Sequence, residues 1–149
     1  MADPKEFKPL ADLGSIALDE KNELKFYVDE FKGHRYGSIR NFMKSDGYAG
    51  PTKAGVTLNA RVLAETIAAL EKLPAEPAAV VEAELVRVLK KAGVELVARV
   101  ILDKDGPALD LREWEAATAD GKKGVRFPYK HLAAALALLK KMRPLVAKP

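Results

Sequence analysis

Two stretches of this chain say nearly the same thing, in the same order. Glu23–Val28 (ELKFYV) lies over Glu95–Val100 (ELVARV), and at the same offset Ile39–Phe42 (IRNF) falls on Leu111–Trp114 (LREW). A loop that is shorter in the second copy then shifts the register. After it, Lys53–Leu73 (KAGVTLNARVLAETIAALEKL) lies over Lys122–Met142 (KKGVRFPYKHLAAALALLKKM). Gly55 meets Gly124, Val56 meets Val125, Leu63 meets Leu132 and Leu70 meets Leu139. Self-similarity across three separated blocks means one structural unit used twice, which restricts the chain to folds made of two like halves.

Each copy carries the same local signals. Leu24, Phe26 and Val28 alternate with Lys25 and Tyr27, the period of a half-buried strand. Leu96, Ala98 and Val100 do the same against Val97 and Arg99. The segments FKGH and DKDGP read as turns, because Gly tolerates positive φ and Pro presets φ. A second strand follows, with Gly37 and Ile39 inward in one copy and Leu109 and Leu111 inward in the other. A polar, Gly-containing loop leads to a short strand, VTL or VRF, and then to a helix. Asn59 is a good N-cap for the first helix, and Pro128 suits the start of the second. Val62, Leu63, Thr66, Ile67, Leu70 and Leu73 recur at helical spacing, as do Leu132, Leu136, Leu139 and Met142. Pro74 and Pro144 are expected to stop the two helices. Between the copies, Ala78–Lys91 reads as an extra amphipathic helix ended by Gly93. A further strand is expected at Ser15–Leu18, before the turn DEKN.

At 149 residues, 48% of them apolar, the chain can build a real core. A net charge of +4 is mildly basic and permits a polyanionic partner without demanding one. The absence of cysteine excludes disulfides, thiolate chemistry and cysteine zinc sites. The N-terminus lacks the apolar core of a secretory signal, and no apolar run approaches the roughly 20 residues that span a bilayer. A soluble, intracellular protein of cytoplasm or nucleoid is the expectation, with no membrane partner.

No catalytic pattern emerges. The carboxylates are scattered, and no pair has the spacing of a general acid and base. His34 and His131 fall in different copies and outside any metal-ligand spacing. The loop SDGYAGPTKAG lacks the Gly-Lys-Ser/Thr ending of a phosphate cradle, and no serine has a triad context. The chain is therefore expected not to be an enzyme and to need no metal or cofactor.

The second strand of the first copy is more informative. Its outward face carries His34, Tyr36, Ser38, Arg40 and Phe42, and Lys25 with Tyr27 extends that face on the neighbouring strand. Single-stranded nucleic acid is held by bases stacking on aromatic rings and by cations along the phosphates, so this mixture suits an unpaired strand. The second copy places Gly106, Ala108, Asp110, Arg112 and Trp114 there, keeping an arginine and an aromatic ring. The competing reading is a protein-interaction or scaffold module whose aromatic face meets another sheet.

The stretch YVDEFKGHRYGSIRNFM, followed by GPTKAGVTLN, resembles the core of the transcriptional coactivator p15/PC4 family of single-stranded DNA-binding proteins. The likeness is carried by Phe31-Lys32-Gly33, by Ile39-Arg40-Asn41-Phe42-Met43 and by Pro51–Leu58. It extends loosely to Leu111-Arg112-Glu113-Trp114 and Lys123-Gly124-Val125. The resemblance implies a curved four-stranded sheet backed by a helix, paired with a second such unit, with DNA crossing the outer grooves. It implies DNA contacts at Phe31, Lys32, Arg40 and Lys53. His34 replaces a family lysine, Met43 stands where a stacking tryptophan is expected, and Ala54 replaces a basic residue. The Pur-alpha and Whirly architectures use a related unit.

The resulting expectation is an α+β protein of two tandem β-β-β-β-α repeats forming an intrachain PC4-like pseudo-dimer. Residues 1–14 would be a tail, 15–73 the first repeat, 74–93 a linker with the extra helix, 94–143 the divergent second repeat and 144–149 a second tail. Single-stranded DNA would be the partner, with RNA as the alternative strand; a further homodimer and transcription machinery are additional partners. Tyr36 and Phe42 would stack, and Lys25, Lys32, Arg40 and Lys53 would meet phosphates, with Tyr27, Phe31 and His34 alongside. Arg99, Arg112, Trp114, Lys122 and Lys123 would contribute more weakly.

Overall fold

The computed structural model describes residues 9–76, 81–115 and 120–146, the side chains of 120–123 excepted. The first half contains β1 (Ala11–Ala17), β2 (Asn22–Phe31), β3 (His34–Ser45), β4 (Tyr48–Leu58) and α1 (Ala60–Glu71). The second contains β5 (Ala83–Lys91), β6 (Val94–Asp103), β7 (Gly106–Glu115), β8 (Asp120–Pro128), a short 3-10 turn and α2 (Leu132–Val146). Each half forms an antiparallel four-stranded sheet in sequential order. The class is α+β, with two such sheets and two helices.

Alternation sets the sheets. Leu24, Phe26 and Val28 are buried on one side of β2, as are Leu96, Ala98 and Val100 on β6. Between β2 and β3 the two-residue turn Lys32-Gly33 has φ of 52° and 81°, the doubly positive form whose twist matches a hairpin. Asn59 caps α1, its side-chain oxygen accepting from the Val62 amide at 2.9 Å.

Three expectations are corrected. The segment read as an extra helix over 78–91 is strand β5 from Ala83 onward, its residues 77–80 lying outside the described set. β5 pairs with β6 as β1 pairs with β2, and both ladders carry a bulge at the same place, between Asp12 and Gly14 and between Glu84 and Val86. Each bulge breaks the two-residue period, which is how Leu85, Val86 and Leu89 came to mimic a helical stripe. The first strand begins at Ala11, inside the supposed tail. Pro144 lies within the last turn of α2 instead of ending it, so that turn runs without the amide bond that would otherwise reach back to the Lys140 carbonyl.

The two halves share one continuous core, running from Ile16 and Phe26 through Leu63 and Leu111 to Met142 and Val146. Each helix reaches across. α2 packs on β1, β2 and β3 of the first sheet, while α1 packs against β5 and α2. Gly37 makes the α2 contact close: a methyl group there would overlap the thioether of Met142. Lys90 ties the halves at the other end, donating to Thr57 Oγ1 at 2.7 Å and pairing with Glu113.

Candidate nucleic-acid interface

The helix contacts define which face of each sheet remains for a partner. Met142 meets Gly37, Leu138 meets Gly14, and Arg35 donates to the Leu145 carbonyl at 3.3 Å. These residues lie on the Ile39 side of the first sheet. The other side is built in rows across the strands. Ser15, Lys25, Arg40 and Gly55 form one row; Asp12, Tyr27, Ser38 and Thr57 form the next; Ala17, Glu23, Phe42 and Pro51 form a third. The second sheet repeats the rows as Arg87, Val97, Arg112 and Gly124; Glu84, Arg99, Asp110 and Arg126; and Leu89, Glu95, Trp114 and Gly121.

On the first sheet the face is more closed than the sequence suggests. Tyr27 and Phe42 meet edge to face with ring centroids 6.4 Å apart, and both are buried, at 6% and 8% exposure. Lys25 Nζ lies 5.2 Å from the Phe42 centroid. The expectation of an open, stacking Phe42 is thus corrected: Tyr27 and Phe42 close over one another across the Lys25–Arg40 row that lies between them. Tyr36 is half-buried and stands opposite Asp29. Burial raises the Asp29 carboxyl above the ordinary range, an effect that the positive charge of Arg40 partly offsets. Arg40 lies flat across β4, its Nη1 donating to the Thr52 carbonyl at 3.0 Å. Gly55 permits this, since a Cβ there would sit 2.8 Å from the guanidinium carbon.

The other predicted residues fall into separate places. Phe31, 62% exposed, sits at the β2–β3 hairpin tip with Lys32 Nζ 5.3 Å from its ring and His34 exposed beside it. Lys53 is exposed in the irregular part of β4, and it lines a groove of about 560 Å³ between the halves with Asn41, Arg112 and Arg126. Lys122 and Lys123 fall where side chains are not described.

Two features escaped the sequence reading. A groove of about 400 Å³ beside Phe42 is lined by Lys21, Lys25 and Lys44. On the second sheet, Arg99, Arg112 and Arg126 converge on Asp110, which has no exposed surface. Arg99 also lies over the half-buried Trp114, its guanidinium carbon 5.9 Å from the ring centroid. Arg126 was legible in principle, because it is the outward residue between the inward pair Val125 and Phe127.

Chemically, both faces offer the same pairing of a cation with a ring, on the side away from the helices. None of the described helices is long and apolar enough to cross a membrane. Among solved structures, WHY1 from Arabidopsis thaliana is similar at a TM-score of 0.45 and 12% identity, covering 89% of this chain and 83% of its own. The plant transcriptional regulator PBF-2 is similar at a TM-score of 0.42 and 14% identity, covering 96% of this chain and 99% of its own. No curated protein matches the chain. Residues 18–69, which span β2 to β4 and most of α1, match the family of Transcriptional Coactivator p15 (PC4), so this stretch of the chain is a PC4-like unit.

Proposed function

We propose that this chain is a sequence-tolerant, non-enzymatic single-stranded nucleic-acid-binding protein, with DNA as its strand, built as an intrachain pseudo-dimer of two PC4-like units. The observation that carries the reading is the pairing of cation and ring on the helix-free face of both sheets: Lys25 with Phe42, and Arg99 with Trp114. The PC4 match over 18–69 adds to it, since the family resemblance implies single-stranded DNA as ligand. The shared core and crossed helices support the pseudo-dimer, because one chain then supplies both halves that separate subunits would otherwise bring together. Such a protein would serve transcription, replication or repair inside the cell.

The test is a titration of a labelled mixed-sequence single strand at several salt concentrations, with duplex DNA and RNA in parallel. Because Phe42 is buried, Lys25→Ala with Arg40→Ala replaces any variant that would empty the ring's site. Native chain should prefer the single strand, and the double variant should flatten the log–log salt slope by about 1.4, at ~0.7 per phosphate contact. Tight self-association that salt does not weaken, with no strand bound, would instead favour a protein-interaction module.

A further inference from the structure

The groove between the halves holds an acceptor that the protein leaves without a donor. Asn41 lines this groove, and its Oδ1 is buried with no hydrogen-bond partner. A chain of bonds that starts at a carboxylate fixes which end of the amide is left over. Asp19 accepts from the backbone amides of Lys21 and Asn22, each at 2.8 Å. The Lys21 amide and the Asn22 side chain hold its carboxyl below the usual carboxylate range, so it acts only as an acceptor. Asn22 Nδ2 donates to it, at 3.1 Å to Oδ1 and 3.3 Å to Oδ2. That leaves the Asn22 oxygen to accept from Asn41 Nδ2 at 3.0 Å, and the Asn41 oxygen ends the chain.

The arrangement belongs to the first copy. Asn41 falls at the break in the β3–β4 ladder between Arg40 and Phe42, and such breaks re-aim side chains. The β7–β8 ladder breaks at the same place, between Arg112 and Trp114, but Glu113 there is paired with Lys90. Val94 stands where Asn22 does, so the second copy has no amide chain either.

A buried acceptor costs stability until a donor arrives, so the groove suits a ligand that brings an N–H. At about 560 Å³ it falls within the size of small-ligand pockets. Leu18, Leu24 and Val125 give it an apolar wall, and the exposed Lys53 and Arg126 also line it. These cations disfavour a cationic amine and favour a neutral one carried on an anionic backbone. Cytosine, adenine and guanine bear such a projecting amine, whereas the ring N–H of uracil or thymine is recessed between two carbonyl oxygens. We infer that the groove between the halves is a base pocket, in which Asn41 Oδ1 accepts a hydrogen bond from the amine of cytosine, adenine or guanine. Because Oδ1 is withdrawn from solvent, the amide swings slightly outward to meet a projecting amine, and carbonyl oxygens would meet it first on uracil. This rests on the single-strand reading above and adds a modest preference at one position to an otherwise tolerant site.

Cytosine and uracil have nearly the same shape and differ at the amine, so they make the probe. Labelled deoxycytidine and deoxyuridine oligomers of equal length are titrated in mildly alkaline buffer with native chain, Asn41→Leu and Ala54→Leu, each checked by thermal melting. Native chain should bind the cytosine strand about fivefold more tightly, the worth of one hydrogen bond. N41L should bring the two affinities together, whereas a merely structural role for Asn41 would lower both alike and keep their ratio. Equal or tighter binding of the uracil strand by native chain, or a ratio that survives N41L, overturns the inference alone. Should N41L fail to fold, A54L decides: Ala54 is an exposed residue of the groove, and its enlargement should fill the pocket and abolish the ratio, whose survival would overturn the inference. Binding of neither strand by native chain overturns the parent reading and this one with it.

Discussion

Glycine 37 and methionine 142 are far apart in sequence and touch only because α2 of the second half covers the first sheet. That contact allows a double-mutant cycle on the crossing of the halves. Met142 has no exposed surface, so Met142→Ala leaves a cavity and should cost about 2–5 kcal/mol. Gly37→Ala forces a methyl into the thioether and should cost about 1–3 kcal/mol from overpacking. Combined, the new methyl occupies space the thioether has left, so the double variant should fall short of the sum by about 1 kcal/mol or more. In a chain of this size that coupling corresponds to about 2–4 °C in melting temperature. Urea unfolding of the four proteins, each at two protein concentrations, measures it. Additivity within about 0.5 kcal/mol would refute the contact. A midpoint that rises with concentration would place the helix on another chain's sheet.

The paired glycines beside Arg40 and Arg112 should separate binding from stability. In Gly55→Ala the methyl meets the guanidinium end of Arg40, which must leave the Thr52 carbonyl but can swing toward solvent, so strand affinity should fall several-fold with a smaller change in melting than at Gly124. In Gly124→Ala the methyl lies 2.6 Å from the Leu111 carbonyl oxygen, which cannot swing away, and a loss of about 1–3 kcal/mol is expected. Asp29 should show a pH signature. Burial raises its folded pKa, so its contribution to stability is fully present below the ordinary value of 3.8 and is lost as pH rises through the folded value. Asp29→Asn should therefore be more stable than native chain at neutral pH, with the gain fading in acid, and should bind a strand more tightly for want of a negative charge. A gain that grows in acid would refute the burial argument.

Much of this molecule was written in its sequence. Alternation placed Phe26 and Leu96 inside and Lys25, Tyr27, Arg40, Arg99 and Arg112 on the other face, because side-chain direction in a strand depends only on parity. The turn at Lys32-Gly33 and the cap at Asn59 were legible because such signals are local. The nature of 83–91 was not, because one bulged residue suffices to turn a strand's period into a helix's. Tertiary structure alone decided the rest. Which sheet each helix covers, how deeply Phe42 and Tyr27 are closed over, and that Arg126 joins Arg99 and Arg112 on Asp110 all depend on strands distant in sequence coming into register. Parity reports the direction of a side chain, but only the assembled sheets fix its neighbours.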